Sequence, residues 1–275
     1  MQRSGIAAIG GCRTQPPMLV RASVLIHGIA LLAVLLAPAE WRWALAAVLA
    51  NHLLLAAVGL WPRSNWLGEN WVHLPAAATA RNEIALTIDD GPDPEVTPQL
   101  LALLDRYQVR ATFFCIGVRA ALYPELCREI VKRGHAVENH SQHHRHYFSL
   151  LGIAGYTREI LAAQTTLANI TGEAPQFFRA PAGLRNPFLD PVLQRLQLRL
   201  ASWSVRGFDT RVRDAARVKA RLLQGLQPGA ILLLHDGNAA RTAAQQPVIL
   251  AVLPDLLAAA AEAKLHFVTL RAALK

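Results

Sequence analysis

The stretch EIALTIDDGPDPEVTP, residues 83–98, places two acidic residues side by side where a run of apolar residues ends. The apolar run before Asp89 predicts a strand, and Gly91-Pro92 predicts a turn directly after it. Adjacent carboxylates repel one another, so Asp89 and Asp90 are tolerated together only where cations neutralise them. Successive side chains of a strand point to opposite faces, and the turn can then aim both acids toward one cavity.

The rest of the chain after residue 83 repeats short apolar runs separated by amphipathic segments, such as TPQLLALLDRYQ, YPELCREIVKRG and DAARVKARLLQGL. Strands that alternate with helices pair in parallel, and about seven repeats favour a closed barrel over an open sheet. Chemistry in such barrels collects at the C-terminal ends of the strands. The predicted strands are 84–89, 110–116, 135–139, 176–180, 198–204, 230–235 and 265–270.

A second polar segment, NHSQHHRH at 139–146, is rich in histidine. His140 and His144 are four residues apart, the spacing that places two side chains on one face of a helical turn. Two imidazoles and one carboxylate make a three-ligand metal site with open positions for water. The alternative is a histidine-rich surface turn, and we assign His143 and His146 to that role.

Three further apolar runs end in polar or aromatic residues. FFRAPAG contains Arg179, which could pair with one aspartate and hold it ionised. ASWSVRGFDT contains Trp203 and Asp209, and AILLLHDG delivers His235 to the same end of the predicted barrel. A single arginine or histidine at a strand end is more often structural, but beside a metal and a carboxylate His235 is a candidate acid catalyst.

These five segments, in this order and at this spacing, resemble the polysaccharide deacetylase family, also called the NodB-homology domain or carbohydrate esterase family 4. TIDDGP is similar to the family's TFDDGP, HSQHH to H-[S/T]-x-x-H, RAPAG to R-x-P-x-G, WSVRGFD to W-x-x-D-x-x-D-W, and LLLHD to L-x-L-H. The resemblance covers roughly residues 83–270. It implies an α/β fold, a distorted (β/α)7 barrel of the NodB type, and a metal-dependent hydrolase that removes N-acetyl groups from amino sugars.

The resemblance also implies roles for the residues at the matching positions. It makes Asp89 the general base and Arg179 the residue that orients it. It makes His235 the general acid, with a pKa that is supported by Asp209.

A divalent metal is part of the same expectation. The family pattern makes Asp90, His140 and His144 its three ligands, with Zn²⁺ as the default ion. Co²⁺, Mn²⁺ or Ni²⁺ could substitute, because all of them accept imidazole and carboxylate ligands.

The expected substrate-binding residues are Pro181, Ala182, Trp203 and Arg206, and here the chain departs from the family pattern. The resemblance implies that the backbone N–H of Ala182 holds the developing oxyanion. Arg206 stands where the family has an aspartate, and this exchange suits an anionic substrate feature, such as a phosphate on a lipid carrier. That hypothesis fails if Arg206→Ala leaves activity on anionic and neutral substrates equally unchanged.

The N-terminal part of the chain predicts a membrane hairpin. Residues 1–22 form a basic segment, and two apolar segments at 23–39 and 43–61 are each near the length of about 20 residues that spans a bilayer. Trp41, Trp43 and Trp61 lie at their ends, where indole rings favour the headgroup level. A signal-peptidase site at APA, or two core helices of a soluble protein, are the alternatives.

The predicted orientation places both ends of the hairpin inside the cell. Arginines precede the first span and follow the second, which favours the cytoplasmic side of a bacterial inner membrane for the large domain. The extracytoplasmic side remains the alternative. Residues 62–82 are predicted to be a linker, and residues 83–275 the deacetylase domain.

Composition narrows the partners. The formal net charge of +9 comes without lysine- or arginine-rich runs interleaved with aromatics, which argues against nucleic acid. Three cysteines without CxxC spacing give neither a disulfide framework nor a zinc ribbon. We expect an N-acetylated glycan or a lipid-linked saccharide as substrate. The alternatives are an O-deacetylase on the same scaffold, an Fe(II) oxygenase and a non-catalytic glycan-binding protein, and the sequence leaves the oligomeric state open.

Overall fold

The computed structural model describes residues 15–275, so Cys12 and most of the basic segment 1–22 lie outside the described residues. The helices of the described part are α1 Met18–Leu36, α2 Trp41–Gly59, α3 Ala76–Ala80, α4 Val96–Arg106, α5 Gly117–Leu122, α6 Pro124–Lys132, α7 Ile153–Thr171, α8 Leu189–Arg195, α9 Ala215–Gln224 and α10 Val248–Glu262. The strands are β1 Glu83–Asp89, β2 Thr112–Cys115, β3 Ala136–Asn139, β4 Phe177–Phe178, β5 Arg199–Leu200, β6 Val205–Arg206, β7 Ile231–His235 and β8 His266–Phe267.

Helices α1 and α2 form a hairpin joined by a short 3-10 turn at Pro38–Glu40. Both are long and apolar enough to cross a bilayer, and few of their residues are buried, unlike those of a core helix. Helix α1 begins earlier than the predicted span because Pro17 takes the position before its first turn, where a missing N–H costs nothing. Asn51 Nδ2 donates to Ser23 Oγ at 2.8 Å, a buried polar contact between the two helices.

The strands form one parallel sheet in the order β5-β4-β3-β2-β1-β7-β6, and β8 pairs with the start of β1. In this register Asp89 at the end of β1 lies opposite His235 at the end of β7 and Phe114 on β2. Asn139 at the end of β3 lies opposite Phe178 at the end of β4. The C-terminal ends of these strands therefore finish at one level, which we call the mouth of the barrel.

Alternation along β1 separates two layers of apolar packing. Ile84, Leu86 and Ile88 pack outward against the helices, whereas Ala85 packs inside the curled sheet. Asp89 has the parity of Ala85, so its side chain belongs to the inner face. The sheet therefore delivers this carboxylate to the interior of the barrel at its mouth.

The predicted strand 198–204 is wrong as a single element. The structure has two short strands there, and β5 pairs with β4 whereas β6 pairs with β7. The residues between them, 201–204, leave one edge of the sheet and join the other. In this segment the chain crosses the opening of the curled sheet, from the edge strand β5 to the edge strand β6.

Residues 71–74, inside the predicted linker, bridge the opening between β5 and β7. The N–H of Trp71 donates to Leu200 O, and the N–H of Ser202 donates to Trp71 O, each at 2.9 Å. The N–H of Leu74 donates to Gly229 O at 2.8 Å, just before β7. The segment that follows the hairpin thus takes part in closing the barrel.

Two glycines with the same backbone conformation test the packing at the mouth. Gly183 has φ 73°, and a Cβ added there would stand 2.6 Å from both Pro62 Cβ and Trp203 Cη2. Gly172 has φ 76° and nothing within 4 Å of an added Cβ. We expect Gly172→Ala to lower the free energy of unfolding by about 1–2 kcal/mol through its backbone conformation alone. Gly183→Ala should lower the free energy of unfolding by about 1–3 kcal/mol more, because the added methyl group would overpack the space beside Pro62 and Trp203.

The measurement is chemical unfolding of both variants beside the wild type. Equal losses for the two glycines would contradict the close packing of Pro62 and Trp203 on Gly183.

Candidate metal and catalytic site

Asp90 leaves strand β1 in a left-handed conformation, with φ 73°. Aspartate tolerates this conformation better than most residues, because its short side chain can bond locally. The turn brings Asp90 Oδ1 to 3.3 Å from His140 Nε2 and 3.2 Å from His144 Nε2. The structure therefore brings together the three residues that were predicted as metal ligands.

The three side chains suit a divalent cation. One ligand atom from each of Asp90, His140 and His144 lies within 4.8 Å of the others. Asp90 Oδ1 is buried, and no donor in residues 15–275 forms a well-aligned hydrogen bond to it. A buried acceptor without a donor is costly, and a cation between the carboxylate and the two imidazoles would satisfy it.

The histidine segment is a loop and not the helical turn that the four-residue spacing predicted. His140 still extends β3, because its N–H donates to Cys115 O at 3.1 Å. Ser141 and His144 then take left-handed conformations, with φ 65° and 50°, and Ser141 Oγ accepts from the N–H of His144 at 3.0 Å. The loop folds back on itself in this way, and it brings the two imidazole rings to 4.8 Å between centroids.

Hydrogen bonding leaves the Nε2 atom of His140 free to bind a metal. His140 Nδ1 donates to Arg179 O at 2.8 Å, which puts the lone pair on Nε2 when the ring is neutral. His143 turns the other way and bonds Glu159 at 2.8 Å, in agreement with the surface role predicted for it. His140 and His143 are only three residues apart in one loop, but their surroundings differ.

Burial and charge pull the pKa values of this cluster in different directions. Burial alone would raise the pKa of Asp90, but attraction to His140, with smaller effects of His235 and His144, outweighs it and lowers the pKa. Burial, assisted by the neighbouring His140, lowers the pKa of His144 to about 4. The His144 ring is therefore neutral near pH 7, the form in which an imidazole binds a metal.

Asp89 has a different cation. Arg179 is fully buried, and its Nη1 donates to Asp89 Oδ1 at 2.7 Å and to Thr87 Oγ1 at 2.8 Å. Its Nε and Nη2 donate to the backbone oxygens of Ala201 and Ser202, so the guanidinium is held at four points. This contact engages only Oδ1, and Asp89 Oδ2 lies 3.7 Å from His140 Nε2, on the metal side.

His235 and Asp209 form a buried pair next to Asp89. The N–H of His235 donates to Asp209 Oδ2 at 2.8 Å, and its Nδ1 donates to Asp209 Oδ1 at 2.9 Å. Burial alone would lower the pKa of His235, but the charge and hydrogen bond of Asp209 outweigh it and raise the pKa. The second nitrogen, Nε2, is left to exchange a proton at the mouth.

The residues predicted to bind substrate surround this centre on one side. Pro181 and Trp203 are buried, whereas Ala182 is exposed in a tight turn with φ 55°. Arg206 Cζ lies 5.3 Å from the ring centre of Trp203 and 5.0 Å from that of Phe208. Arg206 Nε is buried without an acceptor, and no acid within residues 15–275 forms an ion pair with this guanidinium.

Comparison with known proteins identifies the family. A family model described as polysaccharide deacetylase matches residues 76–201. The chain is 35% identical over 173 residues to a chitooligosaccharide deacetylase of Bradyrhizobium sp., a match that covers 60% of this chain and 78% of the relative. The chain belongs to the polysaccharide deacetylase family.

Two further similarities support this membership. A peptidoglycan-N-acetylglucosamine deacetylase of Bacillus cereus is 32% identical over 180 residues, 63% of this chain and 64% of the relative. The crystal structure of the Bc1960 peptidoglycan N-acetylglucosamine deacetylase superposes with a TM-score of 0.66 at 27% identity, over 74% of this chain and 91% of that one. The predicted NodB-type fold of this family member is thereby confirmed.

The structure adds two positioning residues that the sequence motifs did not reveal. Thr87 supports Arg179, and its position two residues before Asp89 on the same strand face could have indicated it. Asn238 Nδ2 donates to Asp90 Oδ2 at 3.2 Å, the oxygen that faces away from the two imidazoles. Asn238 is in a loop after β7, and no sequence pattern pointed to it.

Metal binding should depend on His144 and not on His143. We expect the purified chain to bind one divalent ion, and Asp90→Ala or His144→Ala to weaken Zn²⁺ binding at least about 100-fold, because even loss of an outer partner costs about 10- to 100-fold. His143→Ala is the matched control from the same loop. Isothermal titration calorimetry measures all four proteins, and an equal loss in His143→Ala would contradict this metal site.

Proposed function

We propose that this member of the polysaccharide deacetylase family is a metal-dependent hydrolase that removes N-acetyl groups from the amino sugars of a glycan. The observation that carries the proposal is that two adjacent carboxylates have different partners. Asp89 is bound by Arg179, and Asp90 is turned toward two imidazoles. One acid is thereby available as a base while the other is available as a ligand.

Asp90, His140 and His144 would hold the divalent ion, with Zn²⁺ as the first candidate and Co²⁺, Mn²⁺ or Ni²⁺ as substitutes. When bound, such an ion supplies a Lewis acid that polarises the amide carbonyl and makes water more acidic. Asn238 would keep Asp90 in the orientation that turns Oδ1 toward the two rings, because it bonds the other oxygen.

Asp89 would act as the general base. Its Oδ1 is occupied by Arg179, so Oδ2 is the oxygen that accepts the proton from the attacking water. The water oxygen then bonds to the acetyl carbon. The hydrogen bond from the buried guanidinium fixes the direction in which the carboxylate of Asp89 points.

The second half of the reaction needs a donor for the leaving nitrogen. The backbone N–H of Ala182 would bond the carbonyl oxygen as negative charge develops there. His235 would then give its Nε2 proton to the amine as the C–N bond breaks, which releases acetate and a free amino sugar. Asp209 holds the ring of His235 and stabilises its protonated form.

Acetate release from an N-acetylated oligosaccharide tests the proposal. We expect Asp89→Asn and His235→Ala each to lower kcat about 10²- to 10⁴-fold, the usual contribution of a positioned acid or base. Arg106→Gln is the control, because Arg106 ends α4 at the opposite end of the barrel from the mouth. Near-normal acetate release by both site variants, with melting temperatures like that of the wild type, would remove Asp89 and His235 from their roles.

The pH dependence tests the acid separately. A general acid must be protonated, so activity falls as pH rises through the pKa of His235. Asp209 raises that pKa, and Asp209→Asn removes the charge that does so. The alkaline limb of the kcat profile should therefore move to lower pH in Asp209→Asn. A limb at the wild-type position, measured between pH 5 and pH 10, would show that another group sets it.

We also propose that α1 and α2 anchor the protein in a bacterial inner membrane, with the deacetylase domain, residues 83–275, on the cytoplasmic side. The support is the exposed apolar surface of both helices and the arginines outside the hairpin. The substrate would be an N-acetylated glycan of the membrane surface, which includes lipid-linked saccharides. An alkaline phosphatase fusion at the C-terminus should be inactive in cells, and an active fusion would place the domain outside.

A further inference from the structure

We infer that the mouth of the barrel is itself a membrane-docking surface, which presents the site to a saccharide carried on a phosphorylated lipid. The inference names the substrate class of the proposed deacetylase and rests on that function and on the proposed membrane hairpin. Four observations support it: the contacts where the hairpin ends, the apolar rim of the mouth, the continuity between them, and two arginines that have no acid partner in the described part of the chain.

The residues that leave α2 are built into the wall of the site. Gly59 O, at the end of α2, accepts from the N–H of Arg185 at 3.1 Å. Pro62 O accepts from Ser202 Oγ at 2.7 Å, and the ring of Pro62 packs closely on Gly183. The turn at 181–183 and the segment after β5, which carry the predicted substrate-binding residues, are thus held directly against the end of the second span.

The rim of the mouth exposes large apolar side chains. Leu150 is 82% exposed, Leu122 is 70% exposed, and Tyr147 and Phe188 are each 50% exposed. Leu122 lies in the connection after β2, Tyr147 and Leu150 in the connection after β3, and Phe188 in the connection after β4. Phe208, which is also exposed, follows the end of β6. Single exposed apolar residues are ordinary, but a group at one end of a domain marks an interaction surface.

This rim is continuous with the hairpin. Asn186 Nδ2 donates to Ser149 O at 2.8 Å and to Leu151 O at 2.9 Å, which ties the loop of Phe188 to the loop of Leu150. The neighbouring Arg185 contacts the end of α2, where Trp61 and Trp66 are exposed. Tryptophan favours the headgroup level, so the same bilayer surface that holds the end of the hairpin would meet the rim.

Charge at the mouth fits a phosphate. Arg63, directly after the second span, is exposed, and within residues 15–275 its guanidinium is bonded only to Ser204 O, at 3.3 Å. Arg206, two residues after Ser204, lies over the rings of Trp203 and Phe208, and its buried Nε has no acceptor among the described residues. Guanidinium groups without carboxylate partners bind phosphate oxygens well, and lipid phosphates lie at this level of the membrane.

The depth of the rim in the bilayer tests the inference without relying on catalysis. Nitroxide labels are placed on the full chain in anionic vesicles through Leu150→Cys, Phe188→Cys, Leu161→Cys and Leu32→Cys, each in a Cys12→Ser background. Cys115 and Cys127 are buried and should not react. Leu161 on α7 is 46% exposed and serves as the aqueous control, and Leu32 on α1 is 55% exposed and serves as the membrane control.

The ratio of the collision rate of each nitroxide with oxygen to its collision rate with a water-soluble nickel complex reports the depth of the label in the bilayer. We expect the labels at 150 and 188 to be shielded from nickel relative to the label at 161. If 150 and 188 are as accessible to nickel as 161 while 32 lies in the membrane, docking of the mouth is overturned although the anchor and the deacetylase proposal both stand.

A comparison of a lipid-linked with a soluble substrate tests whether docking of the mouth on the membrane favours the lipid-linked one. In the same vesicles, kcat/KM is measured for an N-acetylglucosaminyl polyprenyl diphosphate and for soluble tetra-N-acetylchitotetraose. The double variant Leu150→Glu with Phe188→Glu should lower the ratio of lipid-linked to soluble activity at least about tenfold, since two apolar contacts with the bilayer are lost. Leu161→Glu should keep the wild-type ratio. An unchanged ratio in the double variant would overturn the inference, whereas absence of acetate release from both substrates by the wild type would instead refute the proposed function.

Discussion

Two neighbouring carboxylates at the end of β1 are almost removed from water, with Asp89 only 3% exposed and Asp90 only 6% exposed. Charges at such positions are costly unless each has its own compensating partner. Arg179 supplies one partner, held between Asp89, Thr87 and two backbone oxygens. The imidazoles of His140 and His144 surround the other, and a divalent ion would complete its neutralisation. The mouth of the barrel is organised around this double requirement.

Backbone geometry turns the requirement into a division of labour. Asp89 remains in the strand and shares the inner face with Thr87, so it meets the arginine that rises from the end of β4. Asp90 leaves the strand at φ 73° and reaches the histidine loop after β3. The two acids are adjacent in the chain but have different partners. Register then adds His235, because β7 pairs with β1 and ends at the same level.

The order of strand ends and the approach of the acidic pair to His140 and His144 could be predicted from sequence, because motif spacing reflects which strands finish together. The choice of Asp90 over Asp89 as the expected ligand came from the family resemblance. The conformation of the histidine loop could not, since neither Ser141 nor His144 is a glycine, the residue type that signals a left-handed conformation most directly. The role of residues 71–74 in closing the barrel could not be predicted from their side chains either, because it depends on backbone hydrogen bonds to segments distant in sequence. Asn238 was missed for a similar reason, as loop position alone decides its contact with Asp90.

A crystal structure of the zinc-loaded protein, with anomalous diffraction recorded on both sides of the zinc absorption edge, would show which residues hold the ion. We expect one strong anomalous peak at about 2.0–2.2 Å from Asp90 and from the Nε2 atoms of His140 and His144, with Asp89 still bound to Arg179 and outside the coordination shell. A peak elsewhere in the molecule, or one that Asp89 ligates in place of Asp90, would contradict this expectation.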